Sequence, residues 1–311
     1  MIFKKKLIVL SSILAALVLV FVLSFVIERG DRRSAAFAWL ESSMLDMVDR
    51  VELNSGIWMG GDRTILRRVN NVWYVSTEFA DLPVRQDRVD DLMSALSVRA
   101  LYPLRASSAE ASERLGLVEG SASRILVQGG AGLPLLDLLV GSPDALGREV
   151  YLRISGRREI HSGEDRFTIF TDSRPNFWYD LRLFPDAASA PASFVQQADI
   201  SLPGGGEFTL RRSGGGWVIP GDEREVDTRR VDAWLRSVLE AEADDFAAAW
   251  PPSVDGSITL RLGDGTSRRI EVGPADGEEN RSARISASPY MYSLTQWTVS
   301  RLFRERAYFL Q

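Results

Sequence analysis

The sequence predicts an α+β protein: an N-terminal transmembrane helix followed by two tandem copies of a strand-rich unit, each with a mainly antiparallel sheet and one principal helix. Three repeated patterns, which recur in the same order, support this prediction. They are Leu-Arg-Arg-x4-Trp at 66–73 and 210–217, Val-x3-Arg-Val-Asp at 84–90 and 226–232, and Trp-x3-Arg-Leu-Phe at 178–184 and 297–303. Ordered recurrence of this kind is typical of an internal duplication.

The charge distribution separates the N-terminus from the rest of the chain. The net charge is -5, and the only lysines are Lys4, Lys5 and Lys6. Without them the remainder carries about -8, which argues against a nucleic-acid partner. The chain has no cysteine, which excludes disulfides and thiolate metal sites.

A long uncharged segment at residues 7–27 predicts a transmembrane helix. Its 21 residues would span about 31 Å as a helix, close to the thickness of a hydrocarbon core. A cleaved signal peptide is the alternative, but its apolar region is usually shorter. Because lysines before a span favour the inside, residues 1–6 are expected in the cytoplasm. The protein would then cross the membrane once, with the bulk of the chain extracytoplasmic.

The remaining chain divides into four predicted parts. Residues 28–47 are predicted to be a juxtamembrane helical stalk, because apolar residues from Phe37 to Val48 fall at helical spacing. The first repeat covers 48–184, a Pro/Ala/Ser-rich linker 185–197, and the second repeat 198–311.

Each repeat is predicted to begin with strands and a hairpin, followed by its principal helix. The first hairpin turns at Asn70-Asn71 and the second at the glycines 214–216. Asp87 and Thr228 lie near the helix starts, where a side-chain oxygen can accept from free backbone N–H groups. The apolar stripes of the helices are Val89, Leu92, Met93 and Leu96 in the first repeat, and Val231, Trp234, Leu235 and Val238 in the second.

Further hairpins and strands complete each repeat. Residues 124–128 and 135–140 flank a glycine-rich turn, as do 258–262 and 267–272. A short helix bearing Trp-x3-Arg-Leu-Phe is expected to close each repeat. A polar loop is expected at 106–113, and additional strands at 150–154, 167–170, 284–287 and 290–292.

The sequence indicates no catalytic, cofactor-binding or metal-binding residues. Because no lysine follows Lys6, a P-loop is excluded and a Schiff-base mechanism nearly so. His161 is the only histidine, which excludes multi-histidine metal sites, and it is expected at a loop or strand end. A carboxylate pair for glycoside hydrolysis stays open, because such pairs meet only in the fold. Two acidic groups lack calcium-loop spacing and are interpreted as solvated loops: Asp222, Glu223, Glu225 and Asp276, Glu278, Glu279.

The repeated aromatic and arginine residues are expected to be structural. Arg88 and Arg230 precede the helix cores and are expected to pair with Asp90, Asp232 or a strand carboxylate. Periodic apolar patterns favour core packing over ligand contact for four tryptophans, Trp73, Trp178, Trp217 and Trp297.

Several features together indicate a family. They are the lysine-rich start, one predicted span, a Trp-bearing strand, the Val-x3-Arg-Val-Asp helix, a Val-Gly pair and a Tyr-Leu-Arg strand at 151–153. In these features the chain resembles the bacterial domain-of-unknown-function 4340 family. The resemblance implies membrane anchoring and association with ABC-type export systems of the kind linked to gliding motility. It implies no site residues, and because the chain has no ATPase motif its role there would be that of a non-ATPase accessory.

We therefore expect a non-enzymatic accessory protein that is anchored by a single span in the bacterial cytoplasmic (inner) membrane, as the resemblance implies, with the bulk of the chain extracytoplasmic. Its expected partners are a membrane protein complex, such as ABC-type transporter subunits, and the lipid bilayer through residues 7–27. The alternative is a binding module for an envelope polymer such as a glycan. Rows of exposed aromatic residues on a sheet face would favour the glycan, and a broad apolar patch near the membrane would favour a protein partner.

Overall fold

The computed structural model describes residues 36–56, 63–78, 80–172, 175–186, 191–250, 253–277, 279–286 and 288–311. They form two compact units that divide between Tyr179 and Asp180. Each unit contains one antiparallel sheet and few helices, so the predicted mostly stranded α+β class is confirmed. The predicted span at 7–27 lies outside the described residues. None of the helices within the described ranges is both long and apolar enough to cross a membrane.

The first unit is built on a nine-stranded sheet with the order β4-β3-β2-β1-β6-β7-β8-β9-β5. Its strands are β1 (Val48–Asn54), β2 (Arg63–Val69), β3 (Val72–Ser76), β4 (Asp81–Pro83), β5 (Leu104–Ala106), β6 (Ser123–Gly129), β7 (Pro134–Pro143), β8 (Glu149–Ile154) and β9 (Ile160–Glu164). Its helices are α1 (Gln86–Ser97), α2 (Ala109–Arg114), α3 (Arg166–Asp172) and α4 (Pro175–Trp178), with 3-10 turns at Ser42–Met47 and Gly130–Gly132.

The second unit is built on an eight-stranded sheet with the order β12-β11-β10-β14-β15-β16-β17-β13. Its strands are β10 (Val195–Ser201), β11 (Glu207–Ser213), β12 (Gly216–Val218), β13 (Asp245–Phe246), β14 (Gly256–Leu262), β15 (Ser267–Ala275), β16 (Arg281–Ile285) and β17 (Met291–Leu294). Its helices are α5 (Thr228–Leu239) and α6 (Gln296–Leu302), with 3-10 turns at Ala192–Phe194 and Arg306–Phe309.

The two sheets have the same strand order once the edge strand β4 is set aside. The order β3-β2-β1-β6-β7-β8-β9-β5 corresponds position by position to β12-β11-β10-β14-β15-β16-β17-β13. In each unit the principal helix follows the first hairpin in sequence, α1 after β4 and α5 after β12.

The predicted hairpin turns and helix stripes are confirmed. Asn70 and Asn71 have φ values of 50° and 65°, and Gly214 and Gly215 have 58° and 86°. Two consecutive positive φ values give a tight turn whose twist matches that of the flanking strands. In α1, Val89, Leu92 and Leu96 are fully buried and Met93 packs at the margin of the core; in α5, Val231, Trp234, Leu235 and Val238 are buried.

Residues 28–35 of the predicted stalk lie outside the described residues, and residues 36–40 are not helical. Phe37 pairs with Ala100 in an antiparallel bridge, and the Leu40 N–H donates to the Leu96 carbonyl at 3.0 Å. Trp39 and Leu40 are buried in the first core. The helical spacing of the apolar residues gave a wrong prediction here, because residues 36–40 form an extended segment that packs beside the end of α1. Of the described stalk residues, only Ser42–Met47 is helical, as a 3-10 helix.

An equivalent extended segment begins the second unit. Arg182 pairs with Glu242 in an antiparallel bridge, and the Leu183 N–H donates to the Ala241 carbonyl at 2.9 Å. Leu183 and Phe184 are therefore buried in the second core, although the sequence assigned them to the end of the first repeat. The predicted linker is likewise shortened, because β10 already begins at Val195.

The strand predicted at 167–170 is wrong, because these residues lie in α3. The run is aromatic and β-branched, as strands often are, but Phe167, Phe170 and Thr171 are buried at helical spacing. Part of the polar loop predicted at 106–113 is also helical, since the Ser108 side chain accepts from the Ala111 N–H at the start of α2.

The predicted helix caps are shifted. The cap of α5 is Asp227, whose carboxylate accepts from the Arg229 and Arg230 N–H groups, and Thr228 is the first helical residue. At α1 the cap position is Arg85, which makes no side-chain capping bond, and Asp87 instead accepts from the Arg85 guanidinium.

Candidate interaction surfaces

The repeated Leu-Arg-Arg-x4-Trp is a cross-strand pair in each unit. Arg68 lies opposite Trp73 on β2 and β3, and Arg212 lies opposite Trp217 on β11 and β12. The guanidinium carbon is 5.8 Å from the ring centroid in the first pair and 4.6 Å in the second. The four residues between Arg and Trp in the motif therefore form a tight hairpin turn, which places the arginine guanidinium against the indole ring on the neighbouring strand.

A groove of about 700 Å³ lies in the second unit beside the C-terminal half of α5. Part of its wall is apolar, from Phe184, Pro185, Pro191, Ala192 and Leu239. The charged part of its lining consists of Arg182, Arg212, Asp232, Arg236 and Glu240. The groove has no local sequence signature, because residues from 182–185 and 191–193 line it together with Arg212 and residues from 232–240, which are distant in the chain.

Arg212 and Asp232 are held rigidly at the groove. The Trp217 Nε1 donates to Asp232 Oδ1 at 3.0 Å, and Arg212 Nη2 lies 3.7 Å from the same oxygen. The Arg212 Nε also donates to the Val195 carbonyl at 3.1 Å. The stacking, the ion pair and the hydrogen bonds therefore present both charges in a fixed arrangement.

Arg236 is the cation most available to a ligand in this groove. It is exposed in the last turn of α5, and its Nε donates only a long bond of 3.4 Å to the Asp232 carbonyl. Within the described part of the chain it forms no ion pair, whereas Arg182 is paired with Asp180 at 2.6 Å. Because Arg182 and Arg212 are paired with carboxylates, Arg236 is the guanidinium that could bind a negatively charged group of a ligand with apolar surface.

Trp297 is exposed, which corrects the prediction that it packs in the core. It is 65% exposed, whereas Trp73, Trp178 and Trp217 are buried as predicted. The helix α6 buries Thr298, Val299 and Leu302, so position 297 lies on its outer face. There Arg301, one turn later, places its guanidinium carbon 4.7 Å from the Trp297 ring centroid.

His161 lies within β9 and forms part of an aromatic cluster. Its Nδ1 is 2.9 Å from the Tyr102 carbonyl oxygen, and its ring centroid is 5.3 Å from that of Phe37. Trp39 completes the cluster, and burial raises the pKa of the Tyr102 hydroxyl. A cavity of about 520 Å³ beside the cluster is lined by the rings of Phe37, Trp39 and His161 and by the charged residues Glu41, Arg157 and Glu159.

The acidic loop residues are held by arginines and turns. The side chain of Arg224, then its N–H, and the Arg306 guanidinium hold the pKa of Asp222 well below its usual range. Asp276 accepts from the Asn280 N–H at 2.9 Å, which closes a turn. In the described ranges no three His, Asp or Glu residues are grouped so that they could hold a metal ion.

Arg230 has partners other than those predicted, and Arg88 stacks on an aromatic ring. Arg230 lies 3.3 Å from Asp227 and donates to the Tyr308 and Leu310 carbonyls. The Arg88 guanidinium carbon lies 4.3 Å from the Phe177 ring centroid. Asp232, one of the predicted partners, is used by Arg212 instead.

Arginine–carboxylate pairs are frequent on the strands. Glu52 lies between Arg63 and Arg50; burial raises its pKa, but hydrogen bonds from the two arginines outweigh this, so the pKa is lowered. Glu271 in the second sheet lies between Arg269 and Arg284 in the same way. The outward positions of the central strands β10 and β14 are polar: Gln197, Asp199, Ser201, Ser257, Thr259 and Arg261.

The fold and these surfaces define a class, a protein of two mainly antiparallel α+β units with an apolar, arginine-bearing groove in the second. The sequence model of domain of unknown function 4340 (DUF4340) matches residues 73–279, more than half of the chain. The chain therefore belongs to that family, as its resemblance predicted.

A curated protein is also similar to the chain, at low sequence identity. An uncharacterized protein of Treponema pallidum (strain Nichols) is 21% identical over 231 residues, which cover 74% of this chain and 66% of that protein. The chain thus spans just under two thirds of the length of this relative. No solved structure matches the chain significantly.

Proposed function

We propose that the protein is a single-pass, membrane-anchored interaction protein whose two units lie outside the cytoplasm of a bacterium. In this proposal residues 7–27 form the anchor in the cytoplasmic membrane. The protein is an auxiliary, non-ATPase and non-enzymatic component of an ABC-type transport system. The observation that carries the proposal is the groove beside α5, where an apolar wall faces the available guanidinium of Arg236.

The proposal includes tandem duplication of one folding unit. The shared strand order, the repeated Arg–Trp pairs and the equivalent extended segments at the start of each unit support it. Two copies on one chain offer two surfaces to one membrane complex. Anchoring to the same membrane raises the effective concentration, so weak individual contacts suffice.

The groove chemistry favours a protein segment that carries a carboxylate next to apolar side chains. Arg236 would form a charge-assisted hydrogen bond to the carboxylate, while Phe184 and Leu239 contact the apolar part. Because Arg212 and Asp232 are already immobilised, little side-chain entropy is lost there on binding.

The test compares two arginines of the same helix. Arg236→Gln removes the charge in the groove, whereas Arg229→Gln removes an exposed charge in the first turn of α5, outside the groove. Full-length protein of each kind is purified in mild detergent, and co-purifying transporter subunits are quantified by mass spectrometry. We expect Arg236→Gln to lose most of the transporter subunits and Arg229→Gln to retain them.

Equal recovery with both variants would refute the groove as the binding site. Absence of transporter subunits with the wild-type protein would refute the proposed partner.

The alternative function, binding of an envelope glycan, is favoured by one observation, the exposed indole of Trp297. An exposed indole can stack on a sugar ring. If Trp297→Ala abolished sedimentation of the full-length protein with isolated cell-wall glycan, and Arg236→Gln left transporter binding unchanged, the alternative would replace the main proposal.

A further inference from the structure

The segment that joins α1 to β5 exposes three aliphatic side chains on a fixed support. Val98, Leu101 and Leu104 are 48%, 67% and 52% exposed. Tyr102 lies between them and is 3% exposed, with its ring centroid 5.0 Å from that of Phe37. Because the Tyr102 ring packs into the core, its neighbour Leu101 is turned outward.

The described chain begins beside this segment. Phe37 and Ala100 exchange two backbone hydrogen bonds of 3.1 Å, an antiparallel pairing that places residue 36 opposite Leu101. Arg99 Nη2 donates to the Ala36 carbonyl oxygen at 2.9 Å. The apolar surface and a guanidinium group therefore lie where the chain from the N-terminus enters the unit.

The length of the preceding chain limits how far this surface can lie from the proposed anchor. Residue 36 is nine residues beyond residue 27, where the uncharged segment ends. Even a fully extended chain of nine residues spans only about 30 Å. The proposed anchor would thus keep Leu101 within roughly that distance of the point where the chain leaves the bilayer.

We propose that residues 98–104 rest on the bilayer that holds the anchor, with Val98, Leu101 and Leu104 in the interfacial layer and Arg99 among anionic headgroups. The inference rests on the proposed membrane anchor. Exposed aliphatic side chains next to arginine suit the boundary between headgroups and acyl chains. Contact here orients the first unit on the membrane and leaves the rest of its surface free for partners.

The opposite end of the same sheet supplies a matched control. Leu133 is 53% exposed and precedes the first residue of β7, Pro134. Pro143, the last residue of β7, pairs with Val150 of β8. Leu101 lies at this same end of the sheet, because the chain extends toward it from Leu104 back to Leu101. The ten residues of β7 separate the two ends by about 30 Å.

The absence of cysteine makes site-specific labelling direct. Leu101→Cys, Leu104→Cys and Leu133→Cys are each made in the full-length chain, spin-labelled and reconstituted into vesicles of phosphatidylcholine and phosphatidylglycerol. Flotation measures membrane association, and collisions with oxygen and with a water-soluble nickel chelate measure label depth. We expect the oxygen-to-nickel ratio at positions 101 and 104 to be several-fold higher than at 133.

The outcomes separate this inference from the anchor. If the protein floats but positions 101 and 104 match position 133, the surface does not touch lipid and the inference is overturned while the anchor stands. If labels at 101 and 104 are shielded from both reagents, a protein surface covers them and the lipid assignment is overturned. If the chain does not float, both the anchor and the inference are wrong.

Discussion

The two units share a strand order, yet the same Trp-x3-Arg-Leu-Phe motif has a different structure in each. Trp178 ends the short helix α4, is fully buried and packs edge-on against Phe177 with ring centroids 5.2 Å apart. Trp297 lies in the first turn of α6, 65% exposed under the Arg301 guanidinium. The rest of the first copy, Leu183 and Phe184, already belongs to the second unit.

The comparison shows which repeated sequence motifs form the same local structure in both units. Arg68–Trp73 and Arg212–Trp217 occupy the same positions of the same hairpin, so their recurrence reflects one geometry. The Trp-x3-Arg-Leu-Phe copies occupy different elements, so their recurrence does not. The two units are alike in strand order, and a short repeated motif marks corresponding positions only where the strand pairing agrees.

The largest expected difference is between the two tryptophans of this motif. Trp178→Ala leaves a large cavity in the first core and should destabilise that unit by about 3–5 kcal/mol. Trp297→Ala removes an exposed side chain and should cost less than about 1 kcal/mol. Chemical denaturation of the full-length protein in detergent, followed by hydrogen exchange of peptides from each unit, measures both changes.

A loss above about 3 kcal/mol for Trp297→Ala would show that position 297 is buried after all. The two alanine variants control each other, because the residue type and the motif are the same.

The fold could be predicted from sequence where a pattern is local. Alternation on β1, tight turns at Asn70-Asn71 and the helical stripe of α1 each depend on neighbouring residues. Residues 166–172 could not be assigned this way, because the short aromatic and β-branched stretch at 167–170 fits a strand or a helix equally well, and burial of Phe167 and Phe170 at helical spacing decides it. The segment 36–40 was misassigned because its partner, Ala100, is more than sixty residues away.

A smaller difference is expected at the starts of the principal helices. Asp227→Ala removes the carboxylate that accepts from two N–H groups of α5 and should cost about 1 kcal/mol in the second unit. Arg85 makes no side-chain capping bond at α1, so Arg85→Ala should cost the first unit less than that. Hydrogen exchange in the first turn of each helix measures the two effects, and equal protection losses would contradict the difference in capping.

The smallest effect is a pH dependence confined to the second unit. The pKa of Asp222 is lowered, chiefly by the Arg224 side chain, so its ionised form stabilises the fold above the unfolded pKa of about 4. That contribution is lost progressively as the pH falls below about 4. Asp222→Asn should therefore destabilise this loop near pH 7 and flatten its pH dependence between about pH 4 and pH 2, as measured by hydrogen exchange. An unchanged acid transition in the variant would show that Asp222 does not contribute.

The candidate site could be predicted only in its parts. The Leu-Arg-Arg-x4-Trp repeat contains Arg212 and Trp217, but it predicted only that Trp217 is buried and did not reveal the groove that Arg212 lines. Arg236 stands on the polar face of α5, where sequence gives no reason to prefer it over Arg229. Only the folded chain brings Phe184, Arg212 and Arg236 around one groove.

The most direct test of the proposed function asks on which side of the membrane the two units lie. Leu133→Cys reports on the first unit and Val218→Cys on the second, at side chains that are 53% and 42% exposed. Spheroplasts of a host that expresses full-length protein are treated with a maleimide that does not cross the cytoplasmic membrane. The account predicts that both cysteines are labelled without lysis and that the protein stays with the membrane after alkaline extraction. Labelling only after lysis, or release of the protein into the soluble fraction, would contradict it.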